Sequence, residues 1–561
     1  MGKLSERSLT RRQIEGMIAD GKAVFLYKGE VMSVNAWMPY HPGGDTAIKH
    51  MIGRDATDEV FALHSEDAKR RMKSYIIGKY DGAWENFLPP IKGGVFRKYN
   101  GPEDDEEERL RMRLDLDAAS DSTPSSPTLS ATSSSEDSFP LLDPSLRRRR
   151  VESSSSSVTT VEDETEVPPG HFDGDYLTRQ YIEADLAKYP SLQNATQKEI
   201  AQKYRDLEVR IRAAGLYKCN YWAYAKECTR YAFLFASSMW CLRNGWYKTS
   251  AFFMGAFWHQ LVFSAHDAGH MGITHNFQVD TVLGIIIANF LGGLSIGWWK
   301  RSHNVHHIVT NDPEHDPDIE HLPFFAVSHR FFGSIFSSYY QRYMPYDAFA
   351  RFFVPMQHYL YYPILLFGRF NLYFLSFEYL FKGLGPRKGP AAWHRYLELA
   401  GLVVFWYWFG YGVVYKGIPN GWDRFSFIMI SHMVTMPLHV QITLSHFAMS
   451  TADLGTTESF AQRMLRTTMD VDCSEWLDWF HGGLHLQAIH HLFPRIPRHN
   501  LRPTQKLVME FCKDVGIPYA IYGFYRGNEE IIGRLAEVAR QAKLLAECQK
   551  VMQEKGEFGG F

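Results

Sequence analysis

At 561 residues the chain exceeds what one ordinary hydrophobic core supports, so two or more units are expected. Its 60 basic and 62 acidic side chains nearly cancel, which removes any whole-chain electrostatic reason to expect a nucleic acid as partner. Aromatic residues reach 15% and gather after position 220, so a mildly polar average conceals a polar front half and an apolar back half. The six cysteines show neither paired metal spacing nor disulfide-scaffold density, which fits a reducing, cytosol-facing chain. The opening MGKLSERSLT has no apolar stretch, so no cleaved signal peptide is expected and membrane insertion falls to internal segments.

In chain order, residues 1–85 read as a compact α+β unit. An apolar, strand-like run Val24-Phe25-Leu26-Tyr27 meets a turn at Lys28-Gly29, and short helical patterns follow. Residues 86–170 read as a disordered linker, because an acidic run, serine tracts and the basic block at 147–150 carry too few apolar side chains to offset chain entropy. Residues 171–500 open with a polar amphipathic helix and continue as an all-α membrane unit. Its candidate spans are 221–242, 250–266, 397–414 and 425–445, judged against the roughly 20 apolar residues a crossing needs. The first contains Lys226 and Arg230, which must snorkel to the interface. Residues 501–561 read as a cytosolic helical tail.

The segment 279–299 is apolar enough for a crossing, yet it lies between two groups of histidines. A single crossing there would put those groups on opposite sides of the bilayer, where they could not share a site. An interfacial or re-entrant course is therefore expected, as for the aromatic stretch 352–379. Four spans then leave both termini and every histidine group on one side.

His41-Pro42-Gly43-Gly44 presents an imidazole beside a glycine turn, and His64 follows after the apolar Ile48, Ile52, Val60 and Phe61. Two opposed imidazoles can ligate a haem iron from both faces, while a turn histidine and a surface histidine remain the plainer reading. Farther on, His266 and His270 stand at i and i+4, one face of a helix. His303, His306 and His307 add an i, i+3, i+4 pattern, and Gln487, His490 and His491 repeat it with glutamine first. His446, at the end of the last candidate span, is a further candidate. Imidazole suits iron, copper, nickel and zinc alike, but this many histidines exceeds one tetrahedral ion and points to two metals. Asp267, Asp316 and Asp318 are candidates to orient ligand imidazoles, or else caps and loop acids. His259, His275, His315, His481, His485 and His499 lie nearby without the spacing and take a structural reading first.

Residues 24–79, with HPGGD and the later histidine, resemble a cytochrome b5 domain. That resemblance implies haem b with His41 and His64 as axial ligands, and an acidic face (Asp45, Asp55, Asp58, Glu59, Glu66, Asp67) for docking electron-transfer partners. The three histidine boxes resemble the membrane fatty-acyl and sphingolipid desaturases, in the branch whose third box begins with glutamine and whose amino terminus is a fused cytochrome b5. WWKRSHNVHHIVTND, DPDIEHLP and HHLFPRIPRHNL look most like fungal sphingolipid delta-8 desaturases. The third box reads QAIHH, where many front-end fatty-acyl enzymes have a glutamate, which weakens the fatty-acid assignment more than the metal one.

The resemblance implies an O2-dependent desaturase in the endoplasmic reticulum membrane, with haem domain and boxes facing the cytosol. Two non-haem iron ions would be held by His266, His270, His303, His306, His307, His446, His490 and His491, with Gln487 as a weaker ligand or a neighbour of one. It further implies a ceramide or long-chain base as substrate and an NADH-dependent cytochrome b5 reductase as electron source. The alternatives are a front-end fatty-acyl desaturase, a lipid hydroxylase and, from another class, a haem-containing membrane receptor or electron-transfer protein whose histidines bind zinc.

Overall fold

The computed structural model describes residues 7–106, 108 and 174–555. The amino-terminal unit is a three-stranded antiparallel sheet, Val24–Tyr27, Glu30–Ser33 and Ile76–Lys79, with short helices packed around it. The hairpin closes at Lys28 and Gly29, whose φ of 54° and 75° match the twist of a tight two-residue turn. Helix Arg11–Ala19 starts at a capping box, in which the Thr10 hydroxyl accepts from Gln13 N while the Gln13 side chain accepts from Thr10 N. All four residues of the first strand are buried, so both its faces are covered.

Beyond Tyr80 the chain runs back along this unit. Phe87 N donates to Gly53 O at 3.0 Å, and Arg97 forks onto Glu15 with two contacts of 2.9 Å. The linker expected over 86–170 falls, at residue 107 and over 109–170 including the basic block, outside the described residues.

Residues 174–555 are almost wholly helical. Among the described residues, two helices are singly long and apolar enough to cross a membrane, His394–Lys416 and Gly421–Leu444, matching the third and fourth candidate spans. The helices at the first two candidates, Tyr221–Arg243 and Tyr247–Gly269, are each 23 residues long and pack against each other, but are more polar. Lys226, Glu227 and Arg230 in the first, and His259, Gln260 and Ser264 in the second, lower their hydropathy. The apolar segment between the first two boxes does not run straight: Phe277–Leu291 and Ile296–Ile308 meet at 118°. Gly293, at φ 72°, turns the chain, and the Ser295 side chain accepts from Trp298 N to start the next helix. The bend rules out one straight helix over 279–299 and is the geometry of a broken span or a re-entrant loop. The aromatic stretch behaves similarly, with Ala348–Leu365 and Gly368–Lys382 meeting at 81°.

The carboxy-terminal helices close the molecule. Leu501–Val515 packs on Asn194–Ala213, and Phe524–Lys555 lies along the helices at 354–365. Between them, Asp470–Asp472 and Ile521–Gly523 pair as parallel strands.

The amino-terminal unit is seated on helix Ile296–Ile308. Val305, Ile308 and Val309 belong to the same buried cluster as Ile14, Leu26, Val31 and Val60. Polar contacts frame this shared core. Arg301 meets Asp45 at 3.0 Å, Arg205 meets Asp58 at 2.6 Å, and Lys92 reaches both Asp312 (2.5 Å) and Asp453 (2.9 Å).

Candidate metal centre and haem cleft

Helix Tyr247–Gly269 delivers His266 in its last turn and His270 as its C-cap, with ring centroids 4.8 Å apart. Arg498 anchors this helix end. Its guanidinium donates to Asp267 at 2.5 Å and to Phe263 O at 3.1 Å, and also pairs with Glu227. Helix Ile296–Ile308 carries His303, His306 and His307, and the short helix Gln487–Leu492 carries Gln487, His490 and His491. The third-box helix is set by Asp470, whose carboxylate accepts from Ala488 N at 2.8 Å in its first turn.

These segments converge on two groups. His266, His270, His303 and His490 form one, and His306, His446 and His491 the other; within each group one nitrogen per residue lies within 4.8 Å of all the rest. Adjacent residues serve different groups: His490 stands 4.5 Å from His266, while His491 stands 4.8 Å from His306. His307 lies between, with its ring 4.9 Å from that of His270 and 4.3 Å from that of His491. Its Nε2 is 3.1 Å from His303 Nε2.

The residues suit metal ions on a structural criterion. Nε2 of His266, His270, His446, His490 and His491 is buried with no hydrogen-bond partner, as is Nδ1 of His307. An ordinary interior pairs such atoms, because each costs free energy when left alone. First-row transition-metal ions between the converging imidazoles satisfy the five Nε2 atoms at once, whereas His307 turns its Nε2 and not its Nδ1 toward His303.

Two carboxylates stand behind the second box. Asp316 accepts from His306 Nδ1 at 2.8 Å, and Asp318 lies 3.5 Å from His303 Nδ1. Asp316 is itself held by Asn311 N (2.7 Å) and Asp318 N (2.9 Å). The His306 contact fixes the tautomer that leaves Nε2 free to face its group. Gln487 is buried one turn ahead of His490 and His491, with Oε1 unpartnered.

The six nearby histidines that lack the box spacing have neighbours outside the two groups. His275 spans Met271 O (2.8 Å) and Tyr217 O (2.7 Å), His315 meets Ser338 at 2.8 Å, and His499 meets Glu227 at 2.8 Å. His485 meets Asp478 at 3.1 Å, His481 meets Gln441 at 2.9 Å, and His259 stacks on Phe480 at 5.0 Å.

In the amino-terminal unit, His41 and His64 face each other with ring centroids 5.9 Å apart and planes 33° apart. His41 Nδ1 donates to Gly44 O at 2.7 Å, which orients its other nitrogen. His64 Nδ1 is buried without a partner. Burial lowers both imidazoles, His64 to about 3, so each is held in the neutral form that ligates a metal. The cleft therefore fits a haem iron held between two imidazoles.

Sequence reasoning missed the contacts joining the two sites. Arg495 Nη1 donates to His64 O at 3.0 Å, and a Cβ added at Gly43 would lie 2.8 Å from Asn304 Nδ2. Neither residue belongs to a periodic pattern. The one available signal is position: Asn304 follows His303 directly, and Arg495 sits in the HHLFPR run.

Comparison with known proteins places the chain among relatives over almost its whole length. The family model for fatty acid desaturase matches residues 244–523, and that for the cytochrome b5-like heme/steroid binding domain matches 10–81. A Delta 8-(E)-sphingolipid desaturase of Emericella nidulans is 58% identical, the match covering 98% of each chain. A protein with the same description from Kluyveromyces lactis is 50% identical over 98% of this chain and 96% of its own. A Delta(8)-fatty-acid desaturase 1 of Arabidopsis thaliana is 36% identical over 62% of this chain and 77% of its own.

Proposed function

This chain belongs to the desaturase family, in the branch that carries a fused cytochrome b5-like domain, and from that premise we propose how its sites work together. The protein is an oxidoreductase that introduces the delta-8 double bond into the long-chain base of sphingolipids. The observation that carries the reading is the convergence of unpartnered imidazoles into two adjoining groups beside a haem cleft.

His266, His270, His303 and His490 hold one iron ion, and His306, His446 and His491 the other. His307 lies where it can serve either, and Gln487 is a neighbour of the third box. His41 and His64 hold haem b. Bound iron, with dioxygen as co-substrate, supplies the oxidant that removes hydrogen from an unactivated methylene, which no side chain can do.

The protein's own groups set the conditions for that chemistry. Asp316 keeps the His306 Nδ1 proton in place, so the ring presents Nε2 inward and cannot rotate away. Arg498 ties the carboxylates of Asp267 and Glu227 together and fixes the end of the helix bearing His266 and His270. His270 and the histidines of the second and third boxes are buried and His266 is half-buried, which limits the access of bulk water to the centre.

The units divide near residues 85, 170 and 500, into haem domain, linker, membrane domain and carboxy-terminal helices. The enzyme sits in the endoplasmic reticulum membrane with haem domain and boxes on the cytosolic side. Its substrate is a ceramide or long-chain base, and an NADH-dependent cytochrome b5 reductase supplies electrons to the haem.

Expression in a host that lacks this unsaturation, followed by mass spectrometry of long-chain bases and fatty acids, tests the reading. Delta-8-unsaturated long-chain bases are expected. New unsaturation confined to fatty acyl chains, or a hydroxylated base without a double bond, would overturn it.

A further inference from the structure

We propose that Arg495 and Asn304 are positioning residues that register the haem domain on the histidine centre and thereby set how fast electrons cross between them. The inference rests on the reading above, with haem between His41 and His64 and iron at the histidine groups.

Each haem-side histidine is one contact away from a segment that carries histidines of the centre. His64 offers its main-chain oxygen to Arg495 Nη1 at 3.0 Å, and Arg495 follows His491 within the same run. Arg495 is 5% exposed and its Nε has no partner. This buried guanidinium also lies 3.4 Å from His275 Nδ1 of its own unit, and spending a hydrogen bond on a backbone carbonyl of the other domain is an expensive means of mere adhesion. Its value lies in fixing where His64 stands relative to the third box.

The second contact runs through the glycine turn. Gly43 and Gly44 are bare where they meet helix Ile296–Ile308: an added Cβ would lie 2.8 Å from Asn304 Nδ2 at the first and 3.1 Å from Arg301 Cγ at the second. Asn304 is the neighbour of His303, and Gly43 lies two positions after His41. The two glycines thus serve close approach as well as the turn, which only at Gly44 (φ 86°) demands the left-handed region.

Other contacts between the domains, Arg205 with Asp58, Lys92 with Asp312 and Asp453, and Asn86 with Thr456, hold the unit in place without touching either histidine turn. Each transfer would carry one electron from a ferrous haem held by His41 and His64, leaving it ferric, to the metal held by the box histidines. Two transfers serve one double bond, and the haem is re-reduced by a pyridine nucleotide through a flavin-type reductase.

The test uses full-length protein loaded with haem and iron. The haem is reduced anaerobically, then mixed with oxygenated buffer and ceramide in a stopped-flow instrument that follows haem reoxidation. Arg495→Gln is expected to slow reoxidation about tenfold, the factor carried by one charge-assisted hydrogen bond, and Arg495→Lys to recover most of the rate. Asn304→Ala slows it in the same direction, because the helix face that meets the glycine turn then loses its side chain. Haem spectrum, midpoint potential and bound iron stay as in the parent protein. Arg205→Gln, which loosens docking elsewhere, changes the rate less than twofold.

Wild-type rates in Arg495→Gln and Asn304→Ala would overturn the proposal, as would equal slowing in Arg205→Gln. If iron-stripped parent protein reoxidised its haem as fast as the replete form, the histidines would not be the electron acceptor. The reading of the centre would then fail, and the proposal with it.

Discussion

The haem cleft and the histidine centre bind through the same side chain but assemble it differently. His41 and His64 flank short helices of one small domain, so the local fold around a three-stranded sheet brings them to 5.9 Å. The centre gathers eight histidines from four segments spread over 266–491, and nothing but tertiary packing brings His446 to within 4.6 Å of His306. A locally closed site can keep its geometry when its surroundings loosen. A site assembled from distant helices depends on the packing of the whole membrane unit.

Reciprocal substitutions break this comparison most sharply. His490→Ala is expected to lower delta-8 product to background and reduce bound iron while leaving the haem absorbance intact, read by mass spectrometry, metal analysis and visible spectra. His41→Ala should remove the haem band, spare the iron and also stop product formation. Added soluble cytochrome b5 should restore little in that variant, because the seated domain covers Arg301 and Asn304.

A smaller effect separates the ligands from what supports them. Asp316→Ala leaves every imidazole present but releases the His306 ring, and iron affinity is expected to fall roughly 10–100-fold in chelator competition. Unchanged affinity would mean that packing alone orients the second box.

The smallest expected effect lies in the haem domain. Burial pushes the Glu59 carboxyl up to about 7 from an ordinary value of 4.5. A carboxyl raised in this way favours the folded state while protonated, so its contribution is fully present below about 4.5 and is lost as pH rises through 7. Glu59→Gln should therefore raise the thermal midpoint above pH 7 and leave it unchanged near pH 4, measured by the loss of haem absorbance on heating.

Much of both sites was legible because the relevant pattern is local. The spacing of His266 with His270, and of His303 with His306 and His307, follows the helical repeat, so one face of one helix suffices to read it. The glycine turn after His41 is equally local. The re-entrant course expected for 279–299 came from a consistency requirement on the histidines, and the segment does bend by 118° near Gly293, a geometry that a broken span and a re-entrant loop share. The division into two groups was not legible: His490 and His491 are neighbours in the chain yet face different groups, and His307 stands between them. Arg495, Asn304 and Arg498 escaped notice for the same reason, since their partners lie in remote segments and no periodicity marks them. Apolarity also misled in part, because Tyr221–Arg243 and Tyr247–Gly269 have a span's length without its composition.

Helix Ile296–Ile308 answers to two clients at once. It gives His303, His306 and His307 to the centre while Val305 and Ile308 sit, together with Val309 just past its end, in the core of the electron donor. Deleting the donor would lay those aliphatic side chains bare to water, so a descendant that relied on a separate cytochrome would first have to recolour this surface with polar residues. The two units are thus coupled through one helix, so that a substitution at Val305 or Ile308 acts on both.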